Sequence, residues 1–194
     1  MLWALAAASG QEGSPKSNLS LIRGLLALTA DSVVAALADL PPGEVRLQVR
    51  PPEIAWLAEE QFSNRLRQSV WVPVSRPDAE WSIQIVVDEI SVVYTDPREG
   101  GLFSAGLLDR TVGVALRVRA TSGESVEPAV DVRYTPTFRD TIASTDVEFV
   151  ETSYLPFTQG RVPQGGFFST VLEPVVVIGT IAVAVLLLFT VRSS

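Results

Sequence analysis

From Leu19 to Leu40 the apolar residues Leu21, Leu25, Leu28, Val33, Ala36, Leu37 and Leu40 recur at helical spacing, and Pro41-Pro42-Gly43 ends the run. A first helix is predicted there. Its charges are Arg23, Asp31 and Asp39, so most of its surface has to be buried, against the rest of a domain or, as the sharper alternative, in lipid. Glu44 to Arg50 then alternates, Val45, Leu47 and Val49 on one face and Arg46, Gln48 and Arg50 on the other, which is the period of a half-buried strand. After Pro51-Pro52, Ile54, Leu57, Ala58, Phe62, Leu66 and Val70 form the stripe of a second helix with Glu59, Glu60, Asn64 and Arg67 outward. Trp71 to Val74 reads as a short strand, and Arg76-Pro77-Asp78 as a turn.

A longer alternating stretch follows. Trp81, Ile83, Ile85 and Val87 share one phase and Ile90, Val92 and Tyr94 the other, so a bulge is predicted at Asp88-Glu89. Asp96 to Gly106 reads as a mobile hairpin loop. The return strand sets Val112, Val114, Leu116 and Val118 inward and Arg117 and Arg119 outward. After a turn at Ser122-Gly123-Glu124, Val126, Val130, Val132 and Tyr134 alternate with Asp131 and Arg133. Beyond Tyr134 the pattern weakens, and Phe138, Ile142, Val147, Phe149, Val150, Tyr154, Leu155 and Phe157 suggest a short helical or irregular segment that closes the sheet. The expected fold is α+β, a mostly antiparallel sheet of four to five strands with two helices on one face.

The two ends of the chain read differently. Val175 to Val191 carries no charge and would make roughly 25 Å of helix, close to the 30 Å thickness of a bilayer core. Thr180 and Thr190 can bond back to the preceding turn. A C-terminal transmembrane helix is expected, contacting the lipid bilayer through residues 175–191, with Phe167 and Phe168 at the interface. A buried helix or strand is the alternative reading of the same run. Met1 to Ala8, MLWALAAA, followed by small polar residues, matches the latter part of a secretory signal without its basic n-region. The expected organisation is a signal-like stub and flexible lead (1–18), an α+β domain (19–157), a linker (158–172) and an anchor (173–192).

Composition narrows the chemistry. There are 22 acidic against 15 basic residues, and no long basic run, so nucleic acid is an unsuitable partner. Histidine and cysteine are absent and the only lysine is Lys16. That removes the usual general base, the thiol nucleophile and the common zinc ligands. Asp88 and Glu89 are neighbours on a strand and are expected on opposite faces, so they form no acid/base pair. Gly100, Gly101 and Gly106 lack the lysine and the helix of a phosphate-binding loop. No catalytic, metal or cofactor site is expected. The outward Arg117, Arg119 and Arg133 are the candidate partner-binding residues, a sheet face suited to an acidic partner; their plainer reading is a solvated surface with weak cross-strand ion pairs.

One resemblance covers about half the chain. A strand ending in Arg50-Pro51-Pro52, a helix carrying Phe62-Ser63-Asn64-Arg65-Leu66-Arg67-Gln68, a short strand, then Arg76-Pro77-Asp78-Ala79-Glu80-Trp81 leading into a long strand resemble the α/β domain shared by the TolB amino-terminal region, the CsgG-type curli secretion lipoproteins and the penicillin-binding-protein activator lipoproteins. The likeness continues through the Arg110 to Arg119 strand and Asp140-Thr141-Ile142. It implies a noncatalytic envelope protein that recognises protein partners or self-assembles. The chain departs from those lipoproteins in having no lipidation cysteine. The sequence thus points to a scaffold or accessory subunit of a bacterial envelope complex, single-pass in the inner membrane with its domain outside the cytoplasm. Two other readings fit: a tail-anchored regulator or enzyme subunit on the cytoplasmic side, and a small subunit of a larger membrane complex, packed through Gly179, Thr180, Ala182 and Ala184.

Overall fold

The computed structural model describes residues 14–98, 106–123, 125 and 127–161. The expected transmembrane run, the signal-like stub and the tip of the hairpin loop lie outside them. Helix α1 (Asn18–Ala36) is capped by Ser17, whose hydroxyl accepts from the Ser20 amide at 3.2 Å. Strand β1 (Glu44–Arg50) is followed by α2 (Pro52–Arg67), which starts on proline, carries Glu53 in its first turn and Arg65 and Arg67 in its last, matching the helix dipole. Then come β2 (Val72–Val74), β3 (Trp81–Arg98), β4 (Leu107–Ser122), β5 (Val130–Tyr134) and β6 (Thr137–Ala143). A 3₁₀ turn at Ser144–Asp146, the single-turn α3 (Val147–Val150) and a second 3₁₀ turn at Pro156–Thr158 complete the described chain.

The fold is α+β, but the sheet is mixed and six-stranded, in the order β2-β1-β3-β4-β5 with β6 also on β4. Three of its five strand pairings are antiparallel, as expected of most of the sheet, while the two parallel pairs and the sixth described strand go beyond the expected four to five. β1 runs parallel to both β2 and β3, because α2 carries the chain back before β2 begins. The remaining pairs are antiparallel. β4 is long enough to hold β6 along Leu107 to Gly113 and β5 along Leu116 to Ala120, end to end on the same side. The segment expected to be helical or irregular after Tyr134 is therefore, in its first part, the strand β6.

One face of the sheet is covered by helices. α1 lies against α2 and β4, and α2 against β1. Under them, Leu21, Ile22, Leu25, Leu26, Ala30 and Val33 of α1 and Leu57, Ala58, Phe62 and Leu66 of α2 meet Val45, Ile83, Ile85, Val112, Val114, Leu116 and Val118 in one core. Among the described residues α1 is the one helix long and apolar enough to cross a membrane, with a mean hydropathy of 1.6, yet here its apolar stripe is core. The bulge falls where the pattern change predicts it: Val87 pairs with Leu116 and Glu89 with Ala115, leaving Asp88 without a partner on β4. That extra residue returns Val92 and Tyr94 to the buried face. It also overturns the expectation for Asp88 and Glu89, which are both exposed, Asp88 reaching Arg133 on the open face and Glu89 in register with the outward-phase Ala115.

Candidate functional site

The face of the sheet turned away from the helices has no covering element among the described residues. Cross-strand register decides which side chains share it. Arg50 of β1 pairs with Val86 of β3, Val86 with Arg117 of β4, and Arg117 with Arg133 of β5. One row across four strands thus carries three guanidinium groups around a valine, and Arg50, Arg117 and Arg133 are all exposed. The adjacent row holds Gln48, Gln84, Arg119 and Asp131.

The three arginines expected from the sequence to share this face do so, but their electrostatics differ. Arg119 is committed to Asp131, donating from Nη2 at 2.7 Å and from Nε at 3.2 Å to the same carboxylate oxygen. Arg133 reaches only the bulge residue Asp88, at 3.5 Å. Among the described residues Arg117 has no ion pair, and neither has Arg50. Two like charges directly opposite on a sheet are unfavourable, and one long contact to Asp88 relieves the Arg117–Arg133 pair incompletely. Sequence reasoning placed Arg50 outward but did not join it to the others, because the parallel β1–β3 register that aligns them is not written in the alternation of either strand.

A second polar constellation is buried, and the strand patterns did not reveal it. Arg110 sits on the inward phase of β4 and is fully buried. Its Nε donates to Asp140 Oδ1 at 2.8 Å and its Nη2 to Asp140 Oδ2 at 2.5 Å, while Nη1 donates to the Lys16 carbonyl at 2.8 Å and to Asn18 Oδ1 at 2.9 Å. The Asn18 amide in turn donates to the Tyr94 hydroxyl at 2.9 Å and to the Thr158 carbonyl at 2.8 Å. Burial pushes the Tyr94 hydroxyl up to about 12, an effect that the Asn18 contact opposes and the nearby Glu151 carboxylate adds to. Glu151 accepts from the Gly160 amide at 2.7 Å, and Gly160 lies flat against the Tyr94 ring, where a Cβ would come within 2.5 Å of Cε2.

This network joins the start of α1, β3, β4, β6 and the last described turn. No buried side-chain N or O lacks a partner among the described residues, and the arrangement ties these elements together as a clamp. The sequence did carry one signal: an arginine on the same phase as Val112 and Val114 is out of place unless it has a buried acid.

Two clefts open at the margins, one of about 290 Å³ lined by Arg46, Glu59, Ser63 and Arg67 and one of about 510 Å³ lined by Thr95, Asp109, Arg139 and Asp140. In the larger one the Thr141 hydroxyl donates to Asp109 Oδ1 at 2.8 Å. No cluster of metal-ligating side chains occurs among the described residues.

No family model matches the chain, and no curated protein matches it. Among solved structures it is similar to a hypothetical protein from Chlamydia trachomatis, 13% identical, over 58% of this chain and 77% of that one, with a TM-score of 0.29. A likeness at that score carries neither a fold nor a function to this chain.

Proposed function

We propose that this chain is a membrane-tethered, noncatalytic scaffold or accessory subunit of a bacterial envelope complex, with its domain outside the cytoplasm, and that it holds protein partners on the bare face of its sheet. The observation that carries the reading is that face: a broad surface of the six-stranded sheet, with the described helices α1 and α2 on its other side, bearing a row of incompletely compensated arginines. The absence of histidine and cysteine from the whole sequence supports a binding role over a catalytic one. The tether rests on the uncharged run from Val175 to Val191 and the export side on the signal-like Met1 to Ala8.

A photo-crosslinking residue at Gln84, on the bare face, and another at Glu59, on the exposed side of α2, test this in cells. A discrete protein adduct from position 84, absent from position 59, is expected. Equal adducts from both positions, or none from 84, would refute a sheet-face scaffold.

A further inference from the structure

We infer that the row Arg50, Arg117 and Arg133 is a docking strip for an acidic peptide segment lying across the strands, its carboxylates flanking an apolar side chain that rests on Val86. The proposal rests on the scaffold reading and adds the chemistry of the partner.

Geometry sets the spacing. With strands about 4.8 Å apart, Arg117 and Arg133 are about 5 Å apart at the backbone, and Arg50 lies about 10 Å from Arg117 on the other side of Val86. Flexible guanidinium side chains on such a row can each take one carboxylate, bidentately where the approach is planar. Val86 is half-buried, so the gap between the charges is apolar and small.

The charge pattern selects a peptide over a lipid surface. Asp88, Glu89 and Asp131 stand on the same face, and the chain as a whole carries a net charge of -7. A uniformly anionic bilayer laid on the face would meet these acids as well as the arginines. A segment with discrete carboxylates can engage Arg50 and Arg117, which have no ion pair among the described residues, keep clear of Glu89 and Asp131, and share Arg133 with Asp88. The neighbouring Arg119, already held by Asp131, defines the limit of the strip.

The test is fluorescence anisotropy of a short synthetic peptide, glutamates flanking a leucine, titrated with the full chain in mild detergent, beside a counterpart with glutamine in place of glutamate. The glutamate peptide binds and the glutamine peptide does not. Arg50→Gln, Arg117→Gln and Arg133→Gln each weaken binding about three- to fivefold, and the triple variant abolishes it. Arg46→Gln and Arg139→Gln, off the row, change it less than about 1.5-fold. Equal losses on and off the row, or no preference for glutamate, would overturn the proposal. Displacement of the peptide by added phosphatidylglycerol, but not by phosphatidylcholine, would overturn it in favour of lipid. If position 84 crosslinks a protein while the glutamate peptide fails to bind, the scaffold reading stands and the acidic class falls. Row-dependent peptide binding without an adduct in cells keeps the acidic strip and removes the scaffold.

Discussion

Replacing Asp140 by alanine removes both acceptors that hold Nε and Nη2 of Arg110, in a site where the arginine has no solvent contact. Removing one partner of a buried ion pair costs about 3–5 kcal/mol, because the other charge is left uncompensated. Here two facts reduce the figure. The Asp140 side chain is 28% exposed, so water can enter the vacated space, and Nη1 keeps its bonds to Lys16 and Asn18. The expected loss is about 2–4 kcal/mol, or a fall in Tm of the order of 10 °C for a domain of this size. Urea unfolding of the full chain in mild detergent, followed by the fluorescence of the buried Trp71 and Trp81, measures it. The paired substitution Arg110→Met with Asp140→Leu leaves no orphan charge and should lose less than Asp140→Ala alone, retaining a cost of about 1–2 kcal/mol for the Asn18 and Lys16 oxygens that lose a donor. A loss below about 0.5 kcal/mol for Asp140→Ala, or a double variant worse than the single one, would refute the clamp.

The close fit at Gly160 makes Gly160→Ala destabilising by about 1–3 kcal/mol, since the new methyl would lie within 3 Å of both the Tyr94 ring and Val92 Cγ1; unchanged unfolding would show that the last turn moves freely. The raised Tyr94 makes stability fall with alkali: between pH 10 and about 12 the unfolded chain has lost the tyrosine proton and the folded chain keeps it, so stability drops by about 1.4 kcal/mol per pH unit in that window and is intact below it. Absorbance at 295 nm should show one of the three tyrosines titrating last, and Tyr94→Phe should flatten the alkaline slope. Arg117→Glu should leave unfolding within about 0.5 kcal/mol of wild type, since the side chain is exposed and has no ion pair among the described residues; a larger loss would mean that the row serves the fold.

Both helices, β1, β2 and the phase change at Asp88 were legible because each is a local periodicity. The direction of β1 was not, since alternation is the same for parallel and antiparallel partners. β6 was hidden for a chemical reason. Its inward residues are Phe138, Asp140 and Ile142, and the central one is an acid that is inward only because Arg110 faces it across the ladder. Taken alone, each of the two residues breaks its strand's apolar pattern; together they make a satisfied pair. The arginine row was half legible for the same kind of reason, as phase can be read along a strand while register across strands cannot.

The hydrogen bond from Asn18 to Thr158 links residues 140 apart in sequence. At synthesis rates of about 5–20 residues per second, α1 leaves the ribosome of the order of ten seconds before the turn that locks its first residue exists. Until Ser122 has been made, an apolar helix of membrane-like hydropathy has no β4 to pack on. The contacts that fix the start of α1 therefore form late, and the clamp is complete only once Thr158 has been made.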